Sequence, residues 1–158
     1  MTIKIILEDG AKMPKYATDG SAAVDLVANI AEEIKLAPQQ VAIISTGIKV
    51  DMTAEPNLCA EVMPRSGMGK KGLVLANTIG LIDNDYQGEI MIMAFNRNPV
   101  SMKAGMGFEA GASITIEPGM RIAQMKFSTF AQAEFKEVKD FDEKTARGEG
   151  KFGSTGTK

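Results

Sequence analysis

The 158-residue chain contains no histidine and no tryptophan, and it contains a single cysteine, Cys59. Without histidine it cannot build a serine–histidine–aspartate triad, a histidine-ligated zinc site or a histidine proton shuttle. A general base must therefore be a carboxylate, a lysine or a tyrosine. A lone cysteine forms no disulfide within its own chain, which suits a reducing compartment. Because its neighbours are Leu58 and Ala60, we expect the Cys59 thiol to be buried.

Excess charge and long apolar runs are missing as well. The formal net charge is −2, so no positive field attracts nucleic acid, and a small anion held by a few aimed groups is the better candidate ligand. No stretch approaches the ~20 apolar residues of a membrane-spanning helix. The amino-terminal segment is too short in apolar residues for a signal peptide. We therefore expect a cytoplasmic protein, or one of the host cytoplasm if virus-encoded, that binds neither nucleic acid nor membrane.

Long helical periodicity is also missing, and short β-branched segments separated by Gly, Pro, Asn and Asp take its place. The predicted strands are residues 3–7, 41–50, 58–63, 90–95, 113–116 and 122–127, with a further strand in 22–28. A helical turn is predicted at 67–72 and an extended hairpin or loop at 98–111. This pattern favours one all-β domain over residues 1–145, either a closed barrel or a sandwich, with at most one short helix.

Residues 146–158 change character, because glycine alternates there with charged and hydroxyl residues. The segment is too glycine-rich to hold a fixed structure alone. It is either a disordered tail or a flexible arm that closes over a phosphorylated ligand.

The acids Asp83 and Asp85 lie in a segment bounded by Gly80 and Gly88. The pattern predicts a strand, a tight turn and a returning strand, and acids in such a turn usually serve the turn alone. Three features favour a catalytic role. Tyr86, one of only two tyrosines, follows directly, the flanks are strongly apolar, and no histidine is available. A half-buried aspartate is then a natural base for activating water.

Three further segments carry candidate ligand-binding groups. In Pro64-Arg65-Ser66-Gly67, an arginine fork that matches phosphate oxygens precedes glycines that expose backbone N–H groups. The spacing is not that of a Walker loop, and a lone Arg-Ser-Gly is more often a solvated turn. In the last predicted strand, Gln124 is expected to share a face with Ile122 and Lys126.

Asp25 is the third candidate, because it is the one acid in an apolar strand segment. A buried carboxylate is costly unless it is paired or used, so a structural hydrogen bond and a functional role have similar weight. Magnesium is usually bound through few carboxylates together with substrate phosphates. A single aspartate near a triphosphate fits that preference.

Taken together and in this order, these segments resemble the trimeric dUTP pyrophosphatases (dUTPases), whose five motifs all have counterparts across nearly the whole chain. The third and fifth counterparts are highly specific, and the first and fourth are weak alone. The five counterparts are, in order, Ala22-Ala-Val-Asp-Leu26, Pro64-Arg-Ser-Gly67, Gly80-Leu-Ile-Asp-Asn-Asp-Tyr-Gln-Gly-Glu-Ile90, Gly119-Met-Arg-Ile-Ala-Gln124 and Arg147-Gly-Glu-Gly-Lys-Phe-Gly-Ser-Thr-Gly156.

The resemblance implies a distorted jelly-roll-like β-barrel of the β-clip type and a homotrimer with its active sites at subunit interfaces. It implies hydrolysis of dUTP to dUMP and diphosphate with Mg²⁺, with Asp83 as the residue that deprotonates the attacking water. Asp25 would act on the metal through water, the direct ligands being substrate phosphates. The remaining implied substrate-binding residues are Arg65, Ser66, Gly67, Asn77, Gly80, Leu81, Ile82, Tyr86, Met91, Gln124, Arg147, Phe152, Gly153, Ser154 and Thr155.

The implied roles divide by substrate part. Backbone groups of Gly80, Leu81, Ile82 and Met91 would read uracil, with Asn77 beside them. The Tyr86 ring would pack on the sugar and leave no room for a 2′-hydroxyl. Phosphates would be held by the second and fourth motifs and by the arm, whose Phe152 would stack over the uracil.

The chain departs from the family pattern in three places. Ala23 and Lys151 stand where glycine is common, and residues 98–111 form a longer connection than expected. That insertion is either a surface hairpin with methionine filler or a contact surface for a regulatory protein partner. The insertion leaves open a regulatory binding protein on this scaffold as one rival function. A second rival is a dCTP deaminase, a family with a similar fold. The deaminase resemblance is weaker, because Arg65-Ser-Gly-Met-Gly-Lys70 lacks the second serine and the arginine of that family.

Overall fold

The computed structural model describes residues 1–103 and 107–150. Within them no helix combines the length and apolarity needed to cross a membrane. The elements are β1 (Lys4–Leu7), β2 (Val24–Val27), β3 (Ile34–Leu36), β4 (Val41–Asp51), β5 (Leu58–Pro64), α1 (Ser66–Lys70), β6 (Leu73–Leu75), β7 (Gly80–Ile82), β8 (Glu89–Asn96), β9 (Val100–Lys103), β10 (Gly107–Ala110), β11 (Ile114–Ile116) and β12 (Arg121–Thr129).

Two four-stranded antiparallel sheets, ordered β1-β4-β8-β6 and β2-β12-β5-β7, form the body of the molecule. Strands β11 and β3 pair separately, as do β10 and β9. Both large sheets contribute to one apolar core, for example Ile44 and Ile92 from the first sheet and Leu26 and Val62 from the second. The predicted all-β, jelly-roll-like class with one short helix is confirmed.

Alternating side chains explain how β4 and β8 lie against the core. Ile44 and Ile92 pair across the two strands and are 0% and 1% exposed. The opposite face of the same strands carries Val41, Ile43, Met91 and Met93, all exposed. Ile43 lies directly across from Met93. We call these four residues the outer apolar face. A sheet that is apolar on both faces fits burial on both faces.

Most predicted strands lie within one or two residues of the observed ones, and the predicted turn at 67–72 corresponds to α1. The backbone of β9 and β10 forms the hairpin predicted for 98–111. The hairpin predicted for Gly80–Gly88 is wrong. β7 pairs with β5, whereas β8 already has β4 and β6 on its two edges, so no edge is left for β7. The Asp83 loop, residues 83–88, therefore passes from one sheet to the other.

A β-bulge in β12 changes another predicted arrangement. The pairing of β12 with β2 shifts between Arg121 and Ala123, which breaks the alternation of side chains. Ile122 is consequently 2% exposed in the core, while Gln124 and Lys126 face a surface cavity. The expectation that all three share one face is wrong for Ile122 and holds for the other two.

Candidate active site

The first, second and fourth motifs meet in a surface cavity of about 480 Å³ that we call the arginine pocket. β12 lies between β2 and β5, and its register places Gln124 across from Asp25 and Ala123 across from Pro64. Arg65 follows the end of β5 and also lines the cavity. The wall is formed by Ala17, Ser21, Ala22, Ala23, Asp25, Met63, Arg65, Ser66, Gly67, Arg121, Gln124 and Lys126.

Both carboxylate oxygens of Asp25 are engaged by arginines. Arg65 donates from Nε to Oδ1 at 2.6 Å, and Arg121 donates from its guanidinium to Oδ2 at 3.1 Å. The Asp25 side chain is 21% exposed and that of Arg65 is 27% exposed, so the pair is sheltered from water. Gln124 donates from Nε2 to the Pro64 carbonyl at 3.1 Å, which ties β12 to the end of β5. Two positive charges around one negative charge leave this group with a net positive charge that suits an anion.

Helix α1 starts at the rim of the arginine pocket. Its N-cap residue is Arg65 in extended conformation, and Ser66 and Gly67 are exposed. The first N–H groups of a helix have no acceptor within the helix, so those of Ser66 and Gly67 are available to an anion. Nothing lies within 4 Å of a Cβ built on Gly67, which shows open space beside the backbone there.

Asp83 lies in a second cavity, the Asp83 pocket, of about 500 Å³. The Asp83 side chain is exposed, so the expectation of a half-buried aspartate is wrong, because the loop turns Asn84 inward and Asp83 outward. The Asp83 carbonyl accepts from the N–H of Tyr86 at 3.2 Å, which closes a turn. Its buried thiol neighbour, Cys59, is 6% exposed, as expected. The pocket is lined by Asn57, Cys59, Leu81, Asp83, Asn84, Asp85, Phe130 and Gln132.

Tyr86 is fixed by its hydroxyl and by its neighbour Gly88. The hydroxyl donates to the Glu89 carbonyl at 3.0 Å, and the residue remains 44% exposed. A Cβ on Gly88 would lie 2.5 Å from the Tyr86 hydroxyl oxygen, so only glycine leaves room for this ring position. The exposed part of the ring is available to a ligand.

Glu89 braces the start of β8 against an irregularity in β4. Its carboxylate accepts from the Ser45 hydroxyl at 2.5 Å and from the Gly47 N–H at 2.7 Å. Burial by itself would raise the pKa of Glu89. The hydrogen bonds from Ser45, Gly47 and Thr46 outweigh burial and, with the Lys49 charge, hold that pKa below its ordinary value. Tyr86 and the Asp83 loop therefore end on an anchored residue.

The predicted uracil-binding residues are only partly brought together. Asn77 lies beside Gly80, since a Cβ on Gly80 would be 3.6 Å from the Asn77 amide nitrogen. Gly80–Ile82 is the edge strand β7, and an edge strand presents backbone donors and acceptors on its open side. Met91 lies in the other sheet, within the outer apolar face.

The two pockets share no residue. Ile82 pairs with Ala60 on β5, so Asp83 lies near the start of that strand, while Arg65 follows its end. Continued by one residue, that pairing sets Cys59 across from Asp83. Arg65 is six positions after Cys59, and at about 3.3 Å per residue this corresponds to roughly 20 Å between Asp83 and Arg65. One subunit therefore holds these two groups far apart.

Comparison with known proteins identifies the family. Residues 9–156 match the model of the dUTPase family. The chain belongs to the dUTPase family. It is 48% identical over 147 residues to a deoxyuridine 5′-triphosphate nucleotidohydrolase of Enterobacter sp. (strain 638), covering 92% of this chain and 88% of the relative. It is 46% identical over 149 residues to the enzyme of that name from Legionella pneumophila, covering 94% and 89%.

Solved dUTPase structures share the fold over almost the whole chain. The Staphylococcus bacteriophage 80alpha dUTPase with dUPNHPP superposes with a TM-score of 0.83 at 28% identity, covering 98% of each chain. A second structure of that phage dUTPase gives a TM-score of 0.74 at 26% identity, covering 90% of this chain and 99% of the other. Both were described with the statement that phage dUTPases control transfer of virulence genes by a proto-oncogenic G protein-like mechanism.

The fifth motif is only partly covered by the residues that the structure describes. Arg147 lies in an exposed turn whose carbonyl accepts from Gly150 N–H at 3.0 Å, and it lines neither pocket. Phe152, Gly153, Ser154 and Thr155 lie outside the described residues.

Sequence reasoning missed Arg121, although it stands inside the fourth motif. Its position three residues before Gln124 predicts the opposite face of a regular strand. The β-bulge brings both into the arginine pocket. A bulge leaves no clear signal in a single sequence.

The donor set around Asp25 fits a water-mediated metal role and not a direct one. Each carboxylate oxygen already accepts one arginine hydrogen bond and keeps further acceptor capacity for a metal-bound water. Within the described residues, no group of three or more His, Cys, Asp or Glu side chains could hold a metal ion. The direct ligands of a divalent ion here would be substrate phosphates and waters.

Proposed function

We propose that this dUTPase hydrolyses dUTP to dUMP and diphosphate, which removes dUTP and supplies dUMP for thymidylate synthesis. The observation that carries the proposal is the exposed Asp83 carboxylate, held on a closed turn at a cavity beside the open edge of β7. The family match and the relatives' names support the substrate.

In the proposed reaction Asp83 accepts a proton from a water that attacks the α-phosphorus. The bond between the α-phosphorus and the bridging oxygen breaks, and diphosphate leaves with that electron pair. A positioned base contributes typically ~10²- to 10⁴-fold to the rate. The rest of the acceleration comes from holding and neutralising the phosphates.

The Asp83 loop and β7 also select the nucleoside. Backbone groups of Gly80–Ile82 on the open strand edge would hydrogen-bond the uracil edge, with Asn77 beside Gly80. The Tyr86 ring, held by Gly88 and the Glu89 carbonyl, would cover the deoxyribose and exclude a 2′-hydroxyl. Met91 would contribute only its backbone groups to uracil binding.

The arginine pocket would bind the phosphates. Arg65 and the N–H groups of Ser66 and Gly67 would donate hydrogen bonds to the phosphates, and Gln124 lines the same cavity. Mg²⁺ bound to the triphosphate would spread its negative charge and help orient it for in-line attack. Asp25 would contact that ion through water while it keeps Arg65 in place.

We place the complete site between subunits of a homotrimer. The roughly 20 Å between Asp83 and Arg65 along β5 is too long for both groups of one subunit to act on one triphosphate. The outer apolar face supports association as well, because monomers seldom expose a contiguous apolar patch of this kind. The arm of residues 146–158, which carries Arg147, would close over the bound nucleotide in the cytoplasmic enzyme.

The substrate assay is pyrophosphate release from dUTP, dTTP, dCTP and UTP with Mg²⁺ present. We expect dUTP to be strongly preferred. Equal rates on all four nucleotides would overturn the proposal. Ammonia release from dCTP, measured in parallel, would instead support the deaminase.

A mixed-subunit experiment tests the composite site. Asp83→Asn and Arg65→Ala chains are each expected to be nearly inactive as homotrimers. If each site takes Asp83 from one subunit and Arg65 from another, trimers reassembled from an equal mixture regain about a quarter of the wild-type activity. No gain over the two separate variants would place both groups in a single subunit.

A second candidate function is a regulatory contact through residues 98–111. The observation that favours it is that β9 and β10 pair with each other outside the two large sheets. The statement made of the phage relatives points the same way. A chain lacking residues 100–110 should keep dUTP hydrolysis, and a regulatory role requires that it lose a partner that co-purifies with the intact protein.

A further inference from the structure

Asn84 is the inward-facing residue of the Asp83 loop. It is half-buried, whereas Asp83 and Asp85 on either side of it are exposed. Its side-chain nitrogen lies within hydrogen-bond distance of three backbone carbonyls, two in the connection between β4 and β5 and one in the first residue of β5, so three acceptors share its two hydrogens. The acceptors are Met52 at 3.0 Å, Glu55 at 3.0 Å and Leu58 at 2.9 Å.

The three acceptors determine what can occupy this position. Carbonyl oxygens only accept, so the group that faces them must be a donor, and an amide nitrogen carries two hydrogens. Three carbonyl dipoles that converge on one point also disfavour any negative charge there. A side-chain amide therefore suits this position and a carboxylate does not.

The same contacts tie the loop to a firm part of the molecule. Met52 is 0% exposed and Leu58 is 6% exposed, so two of the three carbonyls belong to core residues. Asn84 is the first central residue of the turn closed by Tyr86 N–H and the Asp83 carbonyl. Any shift of the Asn84 amide must therefore move Asp83 and Tyr86 together.

We propose that Asn84 is a positioning residue that holds the Asp83 carboxylate at the reacting phosphorus, an inference that rests on the proposed function. It touches no substrate and acts through the turn it anchors. Displacement of a catalytic group by about 1 Å costs on the order of 100-fold in rate. The loss should fall on kcat, because the phosphates are held by the arginine pocket.

The test compares Asn84→Ala with Asn98→Ala in the complete protein. Asn98 is also half-buried, and its amide donates to the Lys71 and Ala112 carbonyls, at a place away from both pockets. Both variants should unfold at lower temperature than the wild type. Asn84→Ala alone should lower kcat for dUTP, by roughly 10- to 100-fold, with KM changed much less. Equal kcat in Asn84→Ala and wild type would overturn the proposal.

A charge variant supplies a readout that a merely structural role would not move. In Asn84→Asp the carboxyl can donate to the carbonyls only when protonated, and the three carbonyls favour that form. The ratio of its kcat to the wild-type kcat should therefore be highest at low pH and fall as the pH rises. The same ratio for Asn98→Asp measures the effect of a new charge outside the site. Parallel curves for the two variants would count against the proposal.

The outcomes separate this inference from the proposed function. A wild-type protein that does not hydrolyse dUTP would refute the proposed function itself. An active wild type with an equally active Asn84→Ala variant refutes only the positioning role. If Asn84→Ala does not fold, Asn84→Ser, which keeps one donor, replaces it in the kcat comparison. Loss of the folded state in both would assign Asn84 a structural role and overturn the proposal.

Discussion

Asp25 and Asp83 are two carboxylates that the fold treats in opposite ways. Asp25 lies on β2 with each oxygen bound by an arginine, and its side chain is 21% exposed. Asp83 lies in a loop with an exposed side chain. Among the residues that the structure describes, the Asp83 carboxylate takes part in no side-chain hydrogen bond or ion pair. Asp25 is held by hydrogen bonds to its carboxylate oxygens, whereas Asp83 is held by a hydrogen bond to its backbone.

This difference separates the two tasks that an acid performs in a phosphate-processing site. A carboxylate whose two oxygens each accept a charged hydrogen bond is suited to orienting its partners. A base needs accessible oxygens and a fixed backbone. The Asp83 loop provides that support with neutral hydrogen bonds from Asn84 and with the packing of Tyr86 on Gly88. The arginine pocket relies on charge, and the Asp83 loop relies on shape.

Removal of the free carboxylate should produce the largest effect. Asp83→Asn keeps the size of the side chain and is expected to lower kcat by ~10²- to 10⁴-fold. Stability should change little, because the carboxylate has no described partner to lose. Asp85→Asn is the matched control, since Asp85 is exposed and lines the same cavity. Steady-state kinetics and thermal unfolding of both variants check this, and equal losses in the two would refute the special role of Asp83.

Removal of the Asp25 carboxylate, which two arginines bind, should lower both protein stability and substrate binding. Asp25→Asn leaves two arginines competing for one acceptor, so we expect a stability loss of about 1–3 kcal/mol. The misplaced Arg65 should lower kcat/KM for dUTP by roughly 10- to 100-fold and raise the Mg²⁺ concentration needed for half activity.

Glu61→Gln is the control for Asp25→Asn. It breaks the Glu61–Lys126 pair at 3.2 Å beside the same pocket, a more exposed pair that should contribute little. Chemical denaturation and Mg²⁺ titrations measure both variants. An Asp25→Asn protein with wild-type stability would show that the two arginine bonds are not structural.

The comparison also explains which features the sequence could reveal. Strands β4 and β8 were predicted correctly at 41–50 and 90–95, because short β-branched segments bounded by turn residues are a local signal. The motifs singled out Arg65 and Asp83, and each of them lines a cavity. The role of Asp25 stayed open, because a lone acid in an apolar strand has no visible partner in sequence, and the partner Arg121 is 96 residues away.

Other features depend on long-range pairing and stayed hidden. Whether the segment after β7 returns as a hairpin depends on which edges of β8 are already occupied, and β4 and β6 occupy both. The β-bulge at Ile122 depends on the register with β2. The Asn84 contacts join residues 26 to 32 positions apart, so a single turn sequence does not disclose them.

Because the position of the Tyr86 ring depends on close packing against Gly88, a substitution at Gly88 should have a moderate effect on the preference for dUTP over UTP. An alanine at Gly88 would place its Cβ 2.5 Å from the Tyr86 hydroxyl oxygen, so the ring must move. We expect Gly88→Ala to narrow the preference for dUTP over UTP by roughly tenfold, because the ring no longer fills the space of a 2′-hydroxyl. Gly67→Ala, where nothing lies within 4 Å, is the control and should keep the preference. The ratio of kcat/KM values for the two nucleotides gives the answer, and an unchanged ratio in Gly88→Ala would remove Tyr86 from sugar selection.

The smallest expected effect concerns Glu89, a charged residue that supports the end of the Asp83 loop. Burial alone would raise its pKa, but the bonds from Ser45, Gly47 and Thr46 and the Lys49 charge together hold it below the ordinary value of 4.5. A depressed pKa means that the unfolded chain binds the proton first as the pH falls. The stabilisation is therefore complete above about pH 4.5 and is lost as the pH falls through the lower, folded value.

Glu89→Gln should accordingly be less stable than the wild type near neutral pH, and the difference should shrink as the solution is acidified. Some acid sensitivity remains in the variant, because a hydrogen bond from Thr53 lowers the pKa of Asp51, and one from Ser128 lowers that of Glu61. Thermal unfolding of both proteins over a series of pH values measures the difference. A gap that stays constant with pH would mean that Glu89 supports the Asp83 loop by packing, as Gly88 does, and not through its charge.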